Sequence, residues 1–352
     1  MNNDKIHYYG WNYIKSELST LNFNNIFLID YVDNYFIKLE NKITKPWVGI
    51  IHHTSSDFST NNIINLFMND IFKESLISCQ GLITLSEYNK KSIINELNKI
   101  QLNIIVYVLK HPMPPIYKYF NINLFEKNLK IINIGGWLRN SYSIYHNEFL
   151  YEHNNLEKYK LKGYCMNEYF PIENININKI INNKINYISK NNTLSYSRTT
   201  DNISYFYSHM IQYINNVLKY YSYNEINNII NNNNTIKIQE YVSNETYLDL
   251  ITSSIIYCDY IDCSASNTIV ECIATCTPII LNRLPALEEY LGSEYPLYID
   301  NLNKIDLIYK TIYYLDKYEI YNAHMYLVNL KNKHELELDF FLEKLQNILN
   351  NN

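Results

Sequence analysis

A run of small residues between two apolar segments is the feature that most constrains how this chain can fold. The run spans residues 262–271, with the sequence DCSASNTIVE, and follows the apolar segment Ile255–Cys258. This order predicts a buried strand, a tight turn and then a helix. Such a turn places backbone amides and the positive end of a helix at the carboxyl edge of a sheet, where phosphate-bearing ligands bind in α/β folds. Glu271, one turn into the predicted helix, is placed to reach a ribose.

The composition of the chain makes this run stand out. Asn, Ile, Tyr and Lys dominate the sequence, as codon drift in an AT-rich genome would produce, whereas the chain has only three arginines and four alanines. Three of the alanines, Ala265, Ala274 and Ala286, lie between residues 262 and 292. Rare residue types that cluster indicate constraint by geometry or chemistry, while a lone case such as Arg198 indicates chance survival.

The bulk properties argue against several classes of protein. A chain of 352 residues is expected to form two domains, each large enough to bury a core. Its net charge of −5 argues against a general nucleic-acid binder. We expect a cytoplasmic protein with no transmembrane segment, because the sequence has no apolar run of bilayer length and no signal-peptide core after Met1. The six cysteines include no CxxC pair, which favours free thiols over a zinc site or a disulfide framework.

Strand-like and helix-like segments alternate in the first third of the chain. The strand-like segments are continuous apolar runs, as in buried parallel strands. Ser86 is the expected N-cap of one helix, with Asn89 three residues further on. We expect strands at residues 26–30, 47–52, 81–86 and 104–109, and helices at residues 9–21, 61–79 and 87–100.

A second alternating unit follows the proline-rich residues 111–115, which predict a stiff, extended connection between domains. We expect loop insertions at the Asn-rich residues 174–192 and 227–234. The predicted strands are residues 130–135, 159–164, 236–240, 255–258 and 278–281, and the predicted helices are residues 203–220, 244–252, 267–276 and 285–291, with a helical tail over residues 303–350.

These patterns predict an α/β protein built from two Rossmann-like domains that face each other across a cleft. The expected boundaries place the first domain at residues 1–115 and the second at residues 116–305. Residues 306–352 are expected to form C-terminal helices that pack back across the domains.

From residue 130 to residue 292 the chain resembles the nucleotide-binding domain of GT-B glycosyltransferases, in particular the retaining family 4 type. That family carries a Glu, seven residues and a second Glu, followed by a small-residue helix and a strand that begins with Pro. Glu271 matches the second Glu, which binds the nucleotide ribose in the family, and Pro278 begins the following strand. The motif LPALEE at residues 284–289 resembles the next turn and helix. The resemblance is specific only between residues 240 and 292.

The resemblance implies that the substrate is a nucleotide-diphosphate sugar and that no cofactor is required. The turn at Ala265 to Thr268 matches the family's small turn, whose amides hold the diphosphate. Two glycines after a strand allow close approach of the backbone to a ligand, and an arginine beside them can pair with a diphosphate. The candidate nucleotide-sugar-binding residues are Gly135, Gly136, Arg139, Tyr241, Ser266, Asn267, Thr268 and Glu271.

The chain departs from the family pattern at four positions. Cys263 stands where the family has its first Glu, which contacts the donor sugar, and Cys276 stands at the family's helix Gly. If the segment is extended, the neighbouring Asp262 points to the opposite side from Cys263. Arg139 comes later after its strand than the family's Arg does, and Ile144 occupies the position of the family's Lys.

The candidate catalytic residues are His52, His53 and Arg139. The two histidines follow the strand at residues 47–51, and in GT-B enzymes a His at such a place faces the donor sugar or the acceptor. The alternative is that they are strand-end histidines satisfied by neighbouring carbonyls. For Arg139, the alternative is a plain turn with a surface arginine. For the Asn267 to Glu271 segment, it is an N-cap with a first-turn acid that stabilises the helix by around 1 kcal/mol.

The leading function is transfer of a sugar to an unknown glycan, lipid or protein acceptor, with retention and without a metal. The chain shows no convincing acidic metal cluster. A nucleotide-sugar epimerase of the same architecture is an alternative that needs a pair of acids, for which Asp30, Asp33 and Glu87 are the strand-end candidates in the first half. A noncatalytic nucleotide-sugar or glycan binder is the third possibility, and Cys263 makes it plausible.

Overall fold

The computed structural model describes residues 10–18, 20–21, 25–38, 41–55, 62–135, 138–139, 143, 156–161, 236–239, 242–300, 310 and 313–351. The predicted helix at residues 203–220 and the two Asn-rich segments at residues 174–192 and 227–234 lie outside these residues. The domain boundaries expected at residues 115 and 305 stay predictions.

The first domain contains a four-stranded parallel sheet whose strands lie side by side in chain order, β1-β2-β3-β4. Right-handed crossovers that advance in one direction place all the connecting helices on one face of such a sheet. The apolar core agrees with this rule, because Val32, Phe36 and Ile93 of the connecting helices pack with Trp47 and Leu82 of the sheet. The strands are β1 (Phe27–Ile29), β2 (Trp47–Ile51), β3 (Cys79–Thr84) and β4 (Val106–Val108), and the connecting helices are α2 (Val32–Lys38), α3 (Ile63–Met68), α4 (Asp70–Ser75) and α5 (Glu87–Lys99).

The opposite face of this sheet is covered by the two ends of the chain. Helix α1 (Gly10–Leu18) packs there together with the last helix, which spans Leu338–Asn351. Val48 and Ile50 of β2 meet Phe341 and Leu345 of that helix, and all four side chains are buried. The expected helical C-terminus that packs back onto the first domain is therefore present.

The second domain contains a six-stranded parallel sheet in the order β10-β9-β8-β5-β6-β7. The chain starts at the central β5, adds strands on one side, and then returns to β8 on the other side. This is the strand order of the doubly wound dinucleotide-binding fold, whose ligand crevice lies where the order reverses, here between β5 and β8. The strands are β5 (Lys130–Ile134), β6 (Glu157–Leu161), β7 (Ile236–Gln239), β8 (Ile255–Cys258), β9 (Ile279–Asn282) and β10 (Tyr298–Ile299). The described helices that follow β4 in the chain are α6 (Ile122–Asn128), α7 (Asn244–Thr252), α8 (Asn267–Thr275), α9 (Pro285–Leu291), α10 (Lys317–Lys331) and α11 (Leu338–Asn351), of which α11 is the helix that covers the first sheet.

Asparagine caps explain why one helix expected from the sequence is two. The expected helix at residues 61–79 is broken at Asn69, which has the extended backbone angles φ −73° and ψ 120°. Asn69 ends α3 and begins α4, because its side-chain oxygen accepts the amide of Phe72 at 3.1 Å. The expected cap of α5 is present, with the amide of Asn89 donating to Ser86 Oγ at 3.2 Å.

Helix α9 connects the two domains. The hydroxyl of Tyr290 donates to the carbonyl of Leu85 at 2.7 Å and accepts the amide of His111, also at 2.7 Å, so it joins the chain beyond β3 to the chain beyond β4. The carboxylate of Glu289 accepts the amides of Glu87 and Tyr88 at 2.6 and 2.7 Å. It therefore supplies the negative charge that the N-terminus of α5 favours. None of the helices that the structure describes is long and apolar enough to cross a bilayer.

Candidate active site

The small-residue run seen in the sequence lies at the reversal of the second sheet. It follows β8, which is buried along its whole length, and leads into α8, whose residues from Thr268 to Thr275 are all buried. A helix this deeply buried needs small and apolar side chains, which explains the composition of the run. The first amides of α8, at Asn267 and Thr268, lie at the crevice, and helix geometry gives such amides no acceptor within the helix.

Ser266 occupies the N-cap position of α8 but does not cap the helix with its side chain. Its hydroxyl instead bonds to the guanidinium Nη2 of Arg139 at 3.0 Å and to the hydroxyl of Tyr260 at 2.8 Å. The structure thus brings the two predicted diphosphate contacts, from opposite sides of the crevice, into direct contact with each other.

Arg139 is held by backbone and aromatic contacts. Its Nη1 donates to the carbonyl of Ile134 at 3.0 Å, and the guanidinium carbon lies 4.9 Å from the centre of the Tyr260 ring. Gly135 has φ +75°, and a Cβ at that residue would lie 1.6 Å from Nη1 of Arg139. The glycine is therefore required here by the arginine, whose guanidinium fills the space that a side chain would take.

Arg139 lacks an anionic partner within the part of the chain that the structure describes. The side chain is half-buried, its Nε has no hydrogen-bond acceptor there, and no described carboxylate forms an ion pair with it. Arg283 is different, because it is exposed and lies 2.5 Å from Glu288 and 3.0 Å from Asp300. A half-buried guanidinium without a carboxylate is an arrangement that an anionic ligand completes.

Glu271 lies inside the second domain. Its side chain is 3% exposed, and Tyr247 of α7 donates a hydrogen bond of 2.5 Å to its Oε2. Burial raises the pKa of Glu271 to about 7, against the opposing effects of the Tyr247 hydrogen bond and the charge of Arg139. The carboxyl group therefore changes its protonation near neutral pH. Its predicted contact with a ribose stays a prediction.

The loop between β8 and α8 is irregular, so the alternation expected for an extended segment does not apply to it. Asp262 and Cys263 are both buried, with exposures of 6% and 5%, and Asp262 Oδ1 accepts the amide of Cys263 at 2.8 Å. Burial raises the pKa of the Cys263 thiol, which keeps it protonated. Cys79, Cys258, Cys272 and Cys276 are likewise free thiols.

His52 and His53 lie at the carboxyl end of β2, as predicted, and their amides are both held by Asp33. The carboxylate oxygens of Asp33 accept these amides at 2.7 and 3.3 Å. The Nε2 of His52 lies 2.9 Å from the carbonyl of Asp30, so this nitrogen carries a proton and donates it. Burial lowers the pKa of His52 to about 3 and raises that of Asp33 to about 6.

His53 is in a different environment from His52. Its Nε2 lies 2.6 Å from the hydroxyl of Tyr31, and its carbonyl accepts the side-chain amide of Asn89 at 3.1 Å. Its ring is half-buried. Tyr31 and the ring of His53 therefore share a hydrogen bond, whereas burial keeps the His52 ring neutral.

Two of the predicted residues lie outside the described part of the chain, and two residues of the site were not predicted. Gly136 and Tyr241 lie outside the described residues. Tyr247 and Tyr260 contribute to the site but gave no signal in a chain with 36 tyrosines. Among the described residues, no three His, Cys, Asp or Glu side chains are grouped so that they could hold a metal ion.

No protein-family model and no curated protein matches the sequence. Solved structures do match. A sucrose-phosphate synthase from Thermosynechococcus elongatus has a TM-score of 0.59 at 9% identity, with 93% of this chain and 73% of that chain covered. An E. coli trehalose-6-phosphate structure bound with UDP-2-fluoro glucose has a TM-score of 0.57 at 10% identity, with 96% and 75% covered.

The pneumococcal O-GlcNAc transferase in complex with UDP and GlcNAc is also similar, with a TM-score of 0.56 at 11% identity, and 97% of this chain and 59% of that chain covered. The specific resemblance to family 4 and its paired Glu residues stays a prediction. At these identities the likeness establishes architecture, and this chain has the GT-B fold, with two Rossmann-like domains facing a cleft and helices at the C-terminus.

Proposed function

We propose that the protein is a glycosyltransferase that moves a sugar from a nucleotide-diphosphate sugar to a hydroxyl acceptor. The observation that carries this proposal is the placement of Arg139. Its guanidinium bonds to Ser266 at the start of α8, in the crevice where the strand order reverses, and no described carboxylate neutralises it. The solved structures similar to this chain include one bound with UDP-2-fluoro glucose and one in complex with UDP and GlcNAc, which supports a donor of this class.

The chemistry follows from where charge develops. When the bond between the sugar and the diphosphate breaks, the leaving diphosphate gains negative charge, which Arg139 and the first amides of α8 are placed to stabilise. We assign the ribose to Glu271, as the resemblance implies. Transfer is proposed to be retaining and independent of a metal, with attack by the acceptor hydroxyl from the face of the leaving group.

The competing functions make different demands on the site. An epimerase needs paired acids, but both oxygens of Asp33 accept backbone amides and Asp30 lies 3.1 Å from Lys15. A noncatalytic binder is consistent with Cys263 at the position of the family's first Glu. Conversion of the donor alone would identify an epimerase, and binding without turnover in the presence of acceptors would identify a binder.

The first experiment is a thermal-shift screen with UDP, GDP and dTDP and with their sugar conjugates. Ligand bound by the folded state raises the melting temperature by mass action. We expect the nucleotides of one base to raise the melting temperature. We also expect the protein to release that nucleotide from its sugar conjugate when glycan acceptors are present. A chain whose melting temperature no nucleotide raises would not use such a donor. Adding EDTA to the turnover assay tests metal independence, and a loss of turnover that manganese restores would contradict it.

A further inference from the structure

A buried carboxylate holds the backbone of the two histidines at the end of β2. Asp33 lies in the first turn of α2 and is 1% exposed. Its Oδ2 accepts the amide of His52 at 2.7 Å, and its Oδ1 accepts the amide of His53 at 3.3 Å. Strand β2 ends at Ile51, so the carboxylate binds the first two amides beyond the strand. These amides lie at the carboxyl edge of the first sheet, where ligands bind in folds of this class.

A second buried side chain holds the same stretch of backbone from another helix. Asn89 of α5 is fully buried, and its Nδ2 donates to the carbonyl of His53 at 3.1 Å and to the hydroxyl of Thr84 at 3.0 Å. The backbone of His53 is therefore held at its amide by α2 and at its carbonyl by α5. Because both holding groups are buried, the path of the chain beyond β2 is fixed, and with it the point from which each imidazole ring projects.

The residue type at position 33 indicates that both of its hydrogen bonds matter. Where a single backbone amide needs an acceptor, this chain uses asparagine: Asn62, Asn69 and Asn121 each accept one amide, at 2.8, 3.1 and 3.0 Å. An asparagine side chain has one acceptor oxygen, whereas a carboxylate has two. A buried carboxylate is also harder to accommodate than a buried amide, and burial raises the pKa of Asp33 to about 6. An aspartate at this position of an asparagine-rich chain keeps both amides bound.

We propose that Asp33 is a positioning residue for sugar transfer, whose ionised carboxylate holds His52 and His53 in the orientation that turnover requires. The proposal rests on the proposed function, because it needs a reaction at this edge of the crevice. When the carboxyl group is protonated, one of its oxygens becomes a donor and faces an amide that is also a donor, so one of the two bonds is lost. Turnover therefore depends on the ionised form, which predominates above about pH 6.

Other ionisable groups surround this carboxylate and must be separated from it in any test. The charge of His53 lowers the pKa of Asp33, against the larger effect of burial. His52 stays neutral near pH 6, because burial lowers its pKa to about 3. Comparing wild type with a variant of Asp33 at each pH divides out what the other groups contribute. The ionisable side chains of this region are Lys15, Asp30, Tyr31, His52, His53 and His111.

The experiment measures kcat and the donor KM of wild type and Asp33→Asn from pH 5 to 8, by release of nucleotide from UDP-glucose, GDP-mannose and dTDP-glucose. The amide of the variant has one acceptor and one donor, like the protonated acid, so it reproduces the state that wild type reaches at low pH. At pH 7.5 we expect the kcat of the variant to be about ten- to a hundredfold lower, because a small misplacement of reacting groups costs that much. Below pH 6 the ratio of the two kcat values is expected to approach one. The donor KM is expected to stay the same, because Arg139 and α8 belong to the second domain.

The control is Asp316→Asn, a carboxylate that also accepts a backbone amide but lies on the surface. Asp316 is the N-cap of α10 and accepts the amide of Tyr318 at 2.8 Å. We expect this variant to keep the wild-type kcat at every pH.

A second measurement needs only wild type and so does not depend on the folding of a variant. In protein labelled with ¹⁵N-histidine, the amide proton of His52 donates to Asp33 and reports the protonation of that carboxyl group, since the His52 ring stays neutral. We expect its chemical shift and the kcat of wild type to change at the same pH, near 6.

Two outcomes would overturn the proposal. A ratio of kcat values that stays the same from pH 5 to 8, even if urea denaturation shows a change in stability, would leave Asp33 as a support of the fold alone. A shift of the His52 amide at a pH where kcat does not change would do the same. If no nucleotide raised the melting temperature of wild type, the proposed function would fail and the positioning role with it. The His52 amide would still shift near pH 6 in that case, so the two failures are distinguishable.

Discussion

At the scale of single residues, the arginine at the crevice is the group on which transfer is expected to depend most. Arg139→Lys removes the planar fork that bonds to Ile134 and Ser266, while keeping a positive charge. We expect turnover to fall by roughly ten- to a hundredfold, from the loss of one or two charge-assisted hydrogen bonds to the diphosphate. The matched control is Arg283→Lys, because Arg283 already lies between Glu288 and Asp300. A larger loss of turnover in the control than in Arg139→Lys would indicate that Arg283, and not Arg139, contacts the diphosphate.

Glu271 is expected to make stability depend on pH. Burial raises its pKa from 4.5 to about 7, so between these values the folded state binds more protons than the unfolded state. Its contribution to the free energy of unfolding is therefore full below pH 4.5 and is lost as the pH rises through 7. The shift corresponds to roughly 3 kcal/mol. The free energy of unfolding of wild type and of Glu271→Gln is measured by urea denaturation across this pH range, and the difference between the two proteins removes the contributions of Asp33 and His52. A difference that does not change between pH 4.5 and 7 would contradict the prediction.

Glu271→Ala is the companion variant for binding. If Glu271 contacts the ribose, the nucleotide affinity falls while the chain stays folded, as judged by circular dichroism. Equal affinity in wild type and variant would leave Glu271 as a partner of Tyr247 and nothing more.

The sequence pointed to several residues that meet at the crevice, but it did not predict the contacts between them. Scarcity marked Gly135 and Arg139 as constrained, and in the structure the Arg139 guanidinium fills the space that a side chain at Gly135 would take. Contact of these two residues with a ligand stays a prediction. The contacts of Glu289 with the amides of Glu87 and Tyr88 could not be found from sequence, because these residues belong to different domains. The commonness of tyrosine in this chain also removed any signal from Tyr247 and Tyr260.

At the scale of elements, the turn after β5 is the one most sensitive to substitution. Gly135→Ala adds a Cβ to a residue with φ +75° and would place it 1.6 Å from the guanidinium of Arg139. We expect a loss of about 1–3 kcal/mol of stability from the backbone conformation, together with loss of nucleotide binding as Arg139 is displaced. Gly81→Ala in β3 is the control, since its Cβ meets the half-buried ring of Tyr107 at 2.9 Å and that ring can move. Chemical denaturation and nucleotide titration of both variants test this, and wild-type affinity in Gly135→Ala would contradict it.

Elements with a clear apolar run or helix-start signal were predictable, whatever their length, and elements without one were not. Strand β8 and helices α7 and α9 have the predicted bounds, because apolar runs and helix-start signals coincide there. Helices α2 and α6 and the two-residue strand β10 were missed, because no apolar run in the sequence marked them. In a chain rich in asparagine, nothing in the sequence distinguishes Asn69, which ends one helix and begins another, from an asparagine on a helix surface.

At the scale of the whole molecule, the last helix is expected to stabilise the first domain. Phe341 is 1% exposed and packs with Val48 and Ile50 on the face of the sheet that the connecting helices leave uncovered. Phe341→Ala is expected to cost about 3–5 kcal/mol of stability, as removal of a buried aromatic ring does.

The adjacent Phe340 supplies a matched control. Its ring is half-buried and packs beside His334 and Lys344. Phe340→Ala is expected to cost less than about 1 kcal/mol, because the ring is only partly removed from water. Urea unfolding of the two variants measures the difference, and equal losses would mean that α11 does not complete the first core.

The position of α11 has a consequence for how the protein is made. The four strands of the first sheet lie early in the chain, whereas the helix that covers their second face is the last one described. A ribosome therefore releases the first sheet long before it releases Phe341 and Leu345, and until then the apolar side chains of Val48, Ile50 and Ile83 have no α11 to cover them. We therefore expect the nascent first domain to expose this apolar face during synthesis and to complete its core only after the second domain has emerged.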